Sequence, residues 1–417
     1  MTGSEMKIIF IQSSDFFEFS FSYHIKREDY AKGHFNDWYF NIVSALRDEN
    51  LHSRTVFRSL RTAGREEYSI KGLNAEAVFL PVPAPVRLLT DMYYMKKTGG
   101  VQNLYKYGYS FYSRVVLSYL INFMPGIIKE IRSYEPDLVI IQDYESKVYD
   151  GTAALMRLSG INIPIITIGT GDYSKQNFIE KAVKKLTLKR AKMHYCPNTV
   201  EYNKLKAKYG VTNSEFIVTQ TVDDRIYRTG KKEARQAAGL DENKKYILFV
   251  GQISSPAKGF PYLHRAFLEL KDLWDDAVLL VIGGGYKYPE QKFMKRVEYV
   301  KDKDELRNYY NACEFVVVPS EREGFPKVVI EAMACGKAVL GTAAGGIPDQ
   351  IIDNVTGYVV PLRNKEALAA KIRYLLANPG ECDRLGEAGL IRARDNYTRK
   401  IFTDNLLGIF NKAVKQS

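Results

Sequence analysis

The sequence predicts an α/β protein made of two parallel-sheet domains, and three observations lead to this prediction. The chain has 417 residues, more than one ordinary hydrophobic core requires, so two domains of similar size are expected. Short runs of consecutive apolar residues recur with helical stretches between them, which is typical of parallel strands buried on both faces. The alternation of apolar runs and helical stretches starts again after a polar stretch near residue 222, where we place the boundary between the domains.

The strands are predicted from β-branched runs in each half of the chain. In the first half these runs lie at residues 8–11, 138–141 and 165–168. In the second half they lie at residues 246–250, 278–282, 315–318, 338–340 and 358–360. The predicted domains are therefore residues 1–222 and 223–397. Residues 398–417 have helical periodicity and form a last helix that could pack back on the N-terminal domain.

Composition restricts the class of protein. Apolar residues make up 46% of the chain and charged residues 26%, which predicts folded cores and not a disordered protein. The formal charge of +12 indicates an anionic partner, which could be nucleic acid, a phosphorylated small molecule or an acidic lipid surface. The four cysteines show no CxxC spacing, which argues against a disulfide framework and a structural zinc site.

The start of the chain has no signal-peptide pattern, and the longest apolar run, residues 115–124, is too short to span a bilayer. We expect a cytoplasmic protein, with peripheral attachment to the inner face of the plasma membrane as one option.

The most informative segment is residues 316–336, which reads as a strand, a loop and a helix. Pro326 suits the first turn of that helix, and Gly336 suits its C-terminal cap. Ligands of open α/β sheets bind outside the carboxyl ends of strands, where this loop must lie. The N–H groups of Lys327 and Val328, at the positive end of the helix dipole, form a site for an anion such as phosphate.

Glu323 lies on this loop and Glu331 further along the same helix, a separation suited to two parts of one extended ligand. Spacing alone leaves another interpretation open, because Glu290 and Glu298 have the same interval where no loop is indicated. Isolated glutamates are mostly solvated surface residues.

The Glu-x7-Glu segment, with Pro319-Ser320 before it and Glu-Ala-Met-Ala-Cys-Gly continuing from Glu331, resembles glycosyltransferase family 4. Further segments follow in the order of that family, namely 249–251, 258–259, 338–340, 345–349 and 354–358. The resemblance extends over most of residues 216–400. It implies the GT-B fold, in which two Rossmann-like parallel-sheet domains face a cleft.

The resemblance implies a retaining glycosyltransferase that moves a sugar from a UDP- or GDP-sugar to a glycan or lipid-linked acceptor in cell-surface glycan biosynthesis. Glu323 and Lys258 are the implied catalytic residues: Glu323 binds donor-sugar hydroxyls, and Lys258 stabilises the leaving diphosphate. Glu331 is implied to accept from the ribose hydroxyls, and the turn at residues 299–301 to hold the base. The other implied donor-binding residues are Gly251, Gln252, Gly324, Phe325, Pro326, Lys327 and Val328.

The resemblance implies neither a metal nor another cofactor. Asp302-Lys303-Asp304 is similar to the metal motif of another glycosyltransferase fold, but Asp302 also suits a helix N-cap, which is the interpretation we adopt. For the glycine pair 345–346, a tight turn and a ligand contact both stay open.

The chain departs from the family at three points. Pro326 stands where glycine is common, which is compatible with a helix start. Gln252 stands where the family has an arginine, so Lys327 or Arg322 could supply the missing charge on the diphosphate. The family's histidine after the strand at 165–168 is replaced by a segment that contains Asp172, which could contact the acceptor or cap the next helix. On the acceptor side, Gly33 is the candidate for the family's glycine loop. His34 lies beside the long loop 12–32, which could shape the acceptor site.

Two basic segments are candidates for the acceptor or for a membrane. In residues 178–190, Ile179, Ala182, Val183 and Leu186 fall on one helical face with lysines around the others, which indicates either a helix on anionic lipid or a helix packed on its own sheet. Residues 87–119 combine tyrosines with lysines, a pattern that suits sugars, a membrane interface or single-stranded nucleic acid. No nucleic acid is expected as a partner, because the chain has no signature of a nucleic-acid-binding module.

Two other functions stay open. A nucleotide-sugar epimerase on the same fold would use the donor site alone, and a non-catalytic scaffold would be consistent with Gln252 and the absent histidine. The presence of Glu323, Glu331 and Lys258 favours sugar transfer over both.

Overall fold

The computed structural model describes residues 6–12, 42–44, 49, 51–59, 64–70, 73–82, 119–120, 122–124, 126–169, 176–285, 288 and 291–415. Its contacts divide the chain into two compact units. Unit 1 contains Met1–Cys196, Glu201–Ile217 and Asn405–Ser417, and unit 2 contains Pro197–Val200 and Val218–Asp404. The predicted acceptor residues Gly33, His34 and Asp172, and residues 87–118, lie outside the described residues.

Unit 1 contains an eight-stranded sheet in the order β3-β4-β2-β1-β5-β6-β7-β8. Its strands are β1 Met6–Ile11, β2 Leu51–Ser59, β3 Glu66–Ser69, β4 Ala75–Pro81, β5 Leu138–Gln142, β6 Ile165–Ile168, β7 Met193–Cys196 and β8 Ser214–Phe216. All pairs are parallel except β3 with β4, which is antiparallel. The central strands β1, β5 and β6 are buried on both faces, as their unbroken apolar runs predict.

The helices of unit 1 have clear start signals. They are α1 Ile127–Tyr134, α2 Lys147–Leu158, α3 Phe178–Thr187 and α4 Thr199–Tyr209, with a 3₁₀ turn at Leu188–Arg190. The first two residues of α4 belong to unit 2. The side chain of Ser146 caps α2 by accepting from the Tyr149 N–H group at 3.1 Å. Asn177 and Glu180 form a capping box at α3, with two hydrogen bonds of 3.0 Å each. These caps hold the first-turn N–H groups that a helix start would otherwise leave unbonded.

Unit 2 contains a six-stranded, all-parallel sheet in the order β11-β10-β9-β12-β13-β14. Its strands are β9 Lys245–Val250, β10 Ala277–Ile282, β11 Met294–Val297, β12 Phe315–Val318, β13 Ala338–Thr342 and β14 Gly357–Val360. This order is that of a Rossmann-type sheet: successive strands are added on one side of β9 as far as β11, and from β12 onward on the other side.

Helices cover both faces of this sheet with apolar side chains. They are α5 Lys231–Ala237, α6 Phe260–Leu268, α7 Lys303–Ala312, α8 Lys327–Ala334, α9 Ile347–Gln350, α10 Lys365–Ala377 and α11 Pro379–Asn396, with 3₁₀ turns at Pro256–Lys258 and Lys271–Leu273. The last helix, α12 Arg399–Lys415, has residues in both units. The last thirteen residues, Asn405–Ser417, belong to unit 1 by their contacts.

The structure confirms the prediction of two parallel-sheet α/β units. Every strand predicted from an apolar run is present with nearly the predicted limits. The domain limits at residues 222 and 397 stay predictions, as does a cleft between the domains. Among the described residues, no helix combines the length and the apolar character that crossing a membrane requires.

The predicted orientation of α3 is wrong in one respect. Lys184, expected among the solvated lysines, is 1% exposed, and Leu186, expected on the apolar face, is 73% exposed. The Lys184 ammonium bonds to three acceptors inside unit 1: Asp150 Oδ1 at 2.9 Å and the carbonyl oxygens of Tyr144 and Ser146 at 2.7 and 2.6 Å. These bonds compensate for desolvation of the lysine, and periodicity alone cannot show them.

Candidate functional site

The candidate site of unit 2 lies where the order of strands in its sheet reverses. β9 has β10 on one side and β12 on the other, so the loops that follow β9 and β12 start from neighbouring strand ends. The first loop carries Gly251, Gln252 and Lys258, and the second carries Glu323. Such a reversal point is where open α/β sheets bind their ligands.

A close contact between backbones joins the two loops. Gly259 has a φ of +63°, and a Cβ atom at this position would lie 1.8 Å from the carbonyl oxygen of Pro319. The Glu321 N–H group donates to the Ala257 carbonyl at 2.8 Å. The loop that carries Lys258 therefore packs directly on the loop that carries Glu323, and only glycine fits at residue 259.

Lys258 and Glu323 form an ion pair with a distance of 2.7 Å between Nζ and Oε1. The Ser320 hydroxyl donates to the same Oε1 at 2.8 Å, and the Thr342 hydroxyl donates to the Ser320 carbonyl at 2.5 Å. Ser320 is buried and Glu323 is half-buried, so the carboxylate is held by two donors at the edge of the site. Sequence reasoning used Ser320 only as part of the motif and missed its hydrogen bond to Glu323.

Helix α8 begins one residue later than predicted. Pro326 has a ψ of +125°, so it is the extended residue before the helix, and Lys327 is the first helical residue. The N–H groups of the first turn then belong to Lys327 and Val328, as predicted, while that of Val329 reaches the Pro326 carbonyl at 3.3 Å. The helix ends before Gly336, which has the left-handed φ of +67° expected of its C-terminal cap.

Glu331 is 3% exposed and has two partners that the sequence did not indicate. The Tyr310 hydroxyl donates to its Oε2 at 2.8 Å, and Lys303 Nζ lies 3.4 Å from its Oε1. Tyr310 and Lys303 both come from α7, whose first turn Asp302 caps by accepting from the Glu305 N–H group at 2.9 Å. The interpretation of Asp302 as an N-cap is confirmed.

Lys327 adds a second cation to this group. Burial lowers the pKa of Lys327, the nearby Glu331 carboxylate opposes that shift, and Lys303 adds to it. The carboxylate of Glu331 thus lies among two lysines and one tyrosine hydroxyl. Such a group can bind hydroxyl and phosphate oxygens of one ligand.

Phe325 has its side chain in the core of unit 2, where the ring packs edge-on against Tyr397 with centroids 5.8 Å apart. Its ring is therefore a core side chain, and the use of its backbone amide by a donor stays a prediction.

The carbonyl group of Gly324 is fixed by two residues. Asn198 Nδ2 donates to it at 2.9 Å, and Gly346 approaches so closely that a Cβ atom there would lie 2.2 Å from it. Thr199, next to Asn198, donates through its N–H group to Asp349 at 2.8 Å. Asn198 is 126 residues from Gly324 in the sequence, so no local signal could have identified it.

The loop after β9 is close to the glycines that follow β10. The Gly251 N–H group donates to the Ile282 carbonyl at 2.9 Å, and a Cβ atom on Gly283 would lie 2.3 Å from the Gly251 carbonyl oxygen. Gln252 is half-buried in this loop. In the described part of the chain, no group of three His, Cys, Asp or Glu residues is arranged to hold a metal ion.

The second half of the chain matches a known family. Residues 230–392 match the family model of glycosyl transferases group 1. The matched residues include Lys258, Glu323 and Glu331, so the site just described lies within the matched segment. Assignment to family 4 within that group stays a prediction.

Curated relatives match over part of their length. The chain is 32% identical over 213 residues to the D-inositol 3-phosphate glycosyltransferase of Segniliparus rotundus, covering 48% of this chain and 47% of the relative. It is 34% identical over 148 residues to the lipopolysaccharide 1,2-N-acetylglucosaminetransferase of Salmonella typhimurium, covering 31% and 39%. The chain therefore spans about half the length, or less, of these relatives.

Solved structures match over nearly the whole chain. Sucrose-phosphate synthase from Thermosynechococcus elongatus gives a TM-score of 0.72 at 18% identity, covering 99% of this chain and all of that one. Anabaena HepE in complex with UDP gives 0.68 at 15% identity, covering 98% and 100%. At these identities the comparison shows the fold, which is the GT-B fold of glycosyltransferases.

Proposed function

We propose that this protein is a retaining glycosyltransferase that moves a sugar from a UDP- or GDP-sugar to a glycan or lipid-linked acceptor in cell-surface glycan biosynthesis. The observation that carries the proposal is the pairing of Lys258 with Glu323 beside the N-terminus of α8, with Glu331 further along the same helix. No metal ion or other cofactor is part of the proposal.

The charges of the site suit a nucleoside diphosphate. The helix start at Lys327 favours an anion, and Lys258 is positioned to stabilise negative charge on the leaving diphosphate. Glu323 would exchange Lys258 for hydroxyls of the donor sugar, and Glu331 would accept from the ribose. The related Anabaena HepE structures contain UDP and UDP-glucose, which supports this donor class.

Gln252 leaves the diphosphate with one cation fewer than in the family, so we propose that Lys327 supplies the missing charge. Lys327 is the first residue of α8, and the nearby Glu331 carboxylate acts on its ammonium group. Arg322, exposed on the loop that carries Glu323, is the second candidate. A Lys327→Ala, Arg322→Ala double variant that bound UDP and GDP with unchanged affinity would contradict both assignments.

One relative and the charge of the chain support the acceptor class. One relative is a lipopolysaccharide glycosyltransferase, and the formal charge of +12 suits work at an anionic membrane. We therefore propose a cytoplasmic enzyme at the inner face of the plasma membrane.

The test is to incubate the purified protein with UDP-, GDP- and ADP-sugars, with and without membrane lipid extract, and to measure release of the nucleoside diphosphate. We expect release from one donor, an increase with lipid, and loss of release in Glu323→Ala. Glu366→Ala, which removes an exposed glutamate from the first turn of α10, is the matched control and should keep full activity.

Each other outcome identifies a different function. No release and no donor binding would overturn the enzyme assignment. Donor binding without release would favour the scaffold, and conversion of the donor into its epimer without an acceptor would favour the epimerase. Retention would be checked by the anomeric configuration of the first product in an NMR time course.

A further inference from the structure

One face of α3 is exposed and combines large apolar side chains with lysines. Leu186 and Phe178 are 73% and 66% exposed, and both are among the three most exposed large apolar side chains of the described residues. The other exposed side chains of this face are Lys181, Ala182, Lys185 and, in the 3₁₀ turn that follows, Lys189. These six positions recur every three or four residues, so they form a single stripe. We call this stripe the α3 face.

The α3 face carries three positive charges and no negative charge. Glu180 is the only acidic residue between positions 176 and 192, and its side chain is turned away from this face. Its carboxylate accepts from Lys147 Nζ at 2.9 Å and from the Asn177 N–H group at 3.0 Å. The Glu180 carboxylate is thus bonded within unit 1, while Lys181, Lys185 and Lys189 are exposed to solvent.

The orientation of α3 is set by its buried side. Lys184 bonds to Asp150 and to two backbone carbonyl groups, and Tyr149 donates from its hydroxyl to the Thr187 carbonyl at 2.7 Å. Rotating the helix to bury Leu186 would move Lys184 out and leave the buried Asp150 carboxylate without its cation, which is strongly unfavourable. The exposure of the α3 face is therefore a stable property of unit 1.

We propose that the α3 face binds an anionic lipid bilayer, with the helix lying in the plane of the headgroups. Leu186 and Phe178 would enter the boundary between headgroups and acyl chains, and Lys181, Lys185 and Lys189 would contact lipid phosphates. The composition favours a bilayer over a protein partner, because lysine is depleted in the buried centre of protein interfaces, whereas it extends readily to a membrane surface.

This inference deepens the proposed function, since a lipid-linked acceptor lies in a membrane surface. Only the biological role of membrane binding rests on the proposed function. The binding itself requires no transfer activity. The two proposals therefore fail separately: vesicle binding without diphosphate release would leave the α3 assignment intact, and release without vesicle binding would overturn it.

The experiment is sedimentation of the full chain with vesicles of phosphatidylcholine alone and of phosphatidylcholine mixed with phosphatidylglycerol. We expect binding only to the mixed vesicles, weakened by salt. The triple variant Lys181→Gln, Lys185→Gln, Lys189→Gln should lose at least about tenfold in affinity, since each lysine near an anionic surface is worth roughly fivefold. Leu186→Ser should lose several-fold, because the inserted apolar area is lost.

Two matched controls separate the α3 face from general charge and apolar exposure. Lys129→Gln, Lys206→Gln, Lys271→Gln removes three exposed lysines from elsewhere, and Ile391→Ser alters an exposed apolar residue of α11. Both should bind as the parent protein does. Circular dichroism melting should be unchanged in all variants, since every altered side chain is exposed.

Three results would overturn the inference: no binding to either vesicle, equal binding to both, or equal losses in the α3 and control variants. If another segment of this chain covers the α3 face, the protein would bind to neither vesicle.

Discussion

The Tyr310 hydroxyl donates a hydrogen bond to Glu331 Oε2 over 2.8 Å, and both residues are almost completely buried. Burial and the adjacent Glu331 carboxylate raise the pKa of Tyr310 well above its usual value, so the hydroxyl stays protonated and stays a donor. The second carboxylate oxygen of Glu331 faces Lys303. Tyr310 thereby orients the carboxylate that the proposed function assigns to the ribose.

We expect Tyr310→Phe to weaken binding of the nucleoside diphosphate by about five- to tenfold, because one hydrogen bond that orients Glu331 is lost, at roughly 1 kcal/mol. The effect should be on the donor KM and on UDP or GDP affinity in calorimetry, with kcat little changed. Tyr309→Phe, the neighbouring tyrosine on the same helix, is the control. Equal effects of the two substitutions would show that Tyr310 has only a structural role.

We expect Gly259→Ala to destabilise unit 2 and to reduce transfer activity. The residue has a φ of +63°, and the new Cβ would meet the Pro319 carbonyl oxygen at 1.8 Å, so the Lys258 loop must move away from the Glu323 loop. The left-handed conformation alone costs an alanine about 1 kcal/mol or more. The measurements are the unfolding midpoint in urea and kcat.

The control for this prediction is Gly380→Ala in α11, where nothing lies within 4 Å of the added Cβ. That substitution should be neutral or stabilise by about 0.5–1 kcal/mol, because alanine favours a helix over glycine. A Gly259→Ala protein as stable as the control would contradict the close packing of the two loops.

We expect Lys184→Met to destabilise unit 1 by about 3–5 kcal/mol, since it leaves the buried Asp150 carboxylate without its cation. Lys185→Met, one residue further along α3 and exposed, should change stability by less than about 0.5 kcal/mol. Urea unfolding of both variants measures the difference. Similar stabilities would mean that Lys184 is solvated, as the periodicity alone suggested.

We expect protonation of His194 to make unit 1 less stable in acid. Its Nε2 lies 3.0 Å from the Leu188 carbonyl, which can only accept, so Nε2 carries the proton and Nδ1 accepts from the Thr167 hydroxyl at 2.8 Å. Burial lowers the pKa of His194 from the ordinary value of 6.5 to about 4. The unfolded chain then binds a proton at a higher pH than the folded one.

The sign of this effect follows from linkage. The pKa of His194 is lower in the folded chain than in the unfolded chain. The stability that neutral His194 contributes is therefore fully present above pH 6.5 and is lost as the pH falls toward 4, by roughly 3 kcal/mol in total. The measurement is the free energy of unfolding against pH, and His194→Gln should flatten the curve in that window. Burial also lowers the pKa of His264 in unit 2, so the same pH curve is measured for His264→Gln and compared with that of His194→Gln. A His194→Gln curve with the parent's slope would refute the assignment.

The strands that the sequence predicted are those buried on both faces, such as β5 and β12, where an unbroken apolar run has no other stable location. The sequence analysis did not predict β2, β3, β4, β7, β8 or β11. The polar residues of β2 include the buried Thr55 and Arg58. A strand with polar positions lacks the apolar run on which the prediction depends.

The site was predicted where its residues are close in the sequence. Glu323, Pro326 and Glu331 belong to one strand, loop and helix, so their order already determines their arrangement. Tyr310, Asn198 and Ser320 were missed as partners because their contacts cross between elements, and local patterns carry no information about such contacts.

The sequence by itself determined the two parallel sheets and the motif that carries Glu323 and Glu331, because apolar runs and helix signals act over a few neighbouring residues. Only the tertiary structure decided which side of α3 faces solvent. The buried bonds of Lys184 to Asp150, Tyr144 and Ser146 outweigh the apolar pattern of that helix. The three partners come from a different part of the chain, and their convergence exists only in the folded protein.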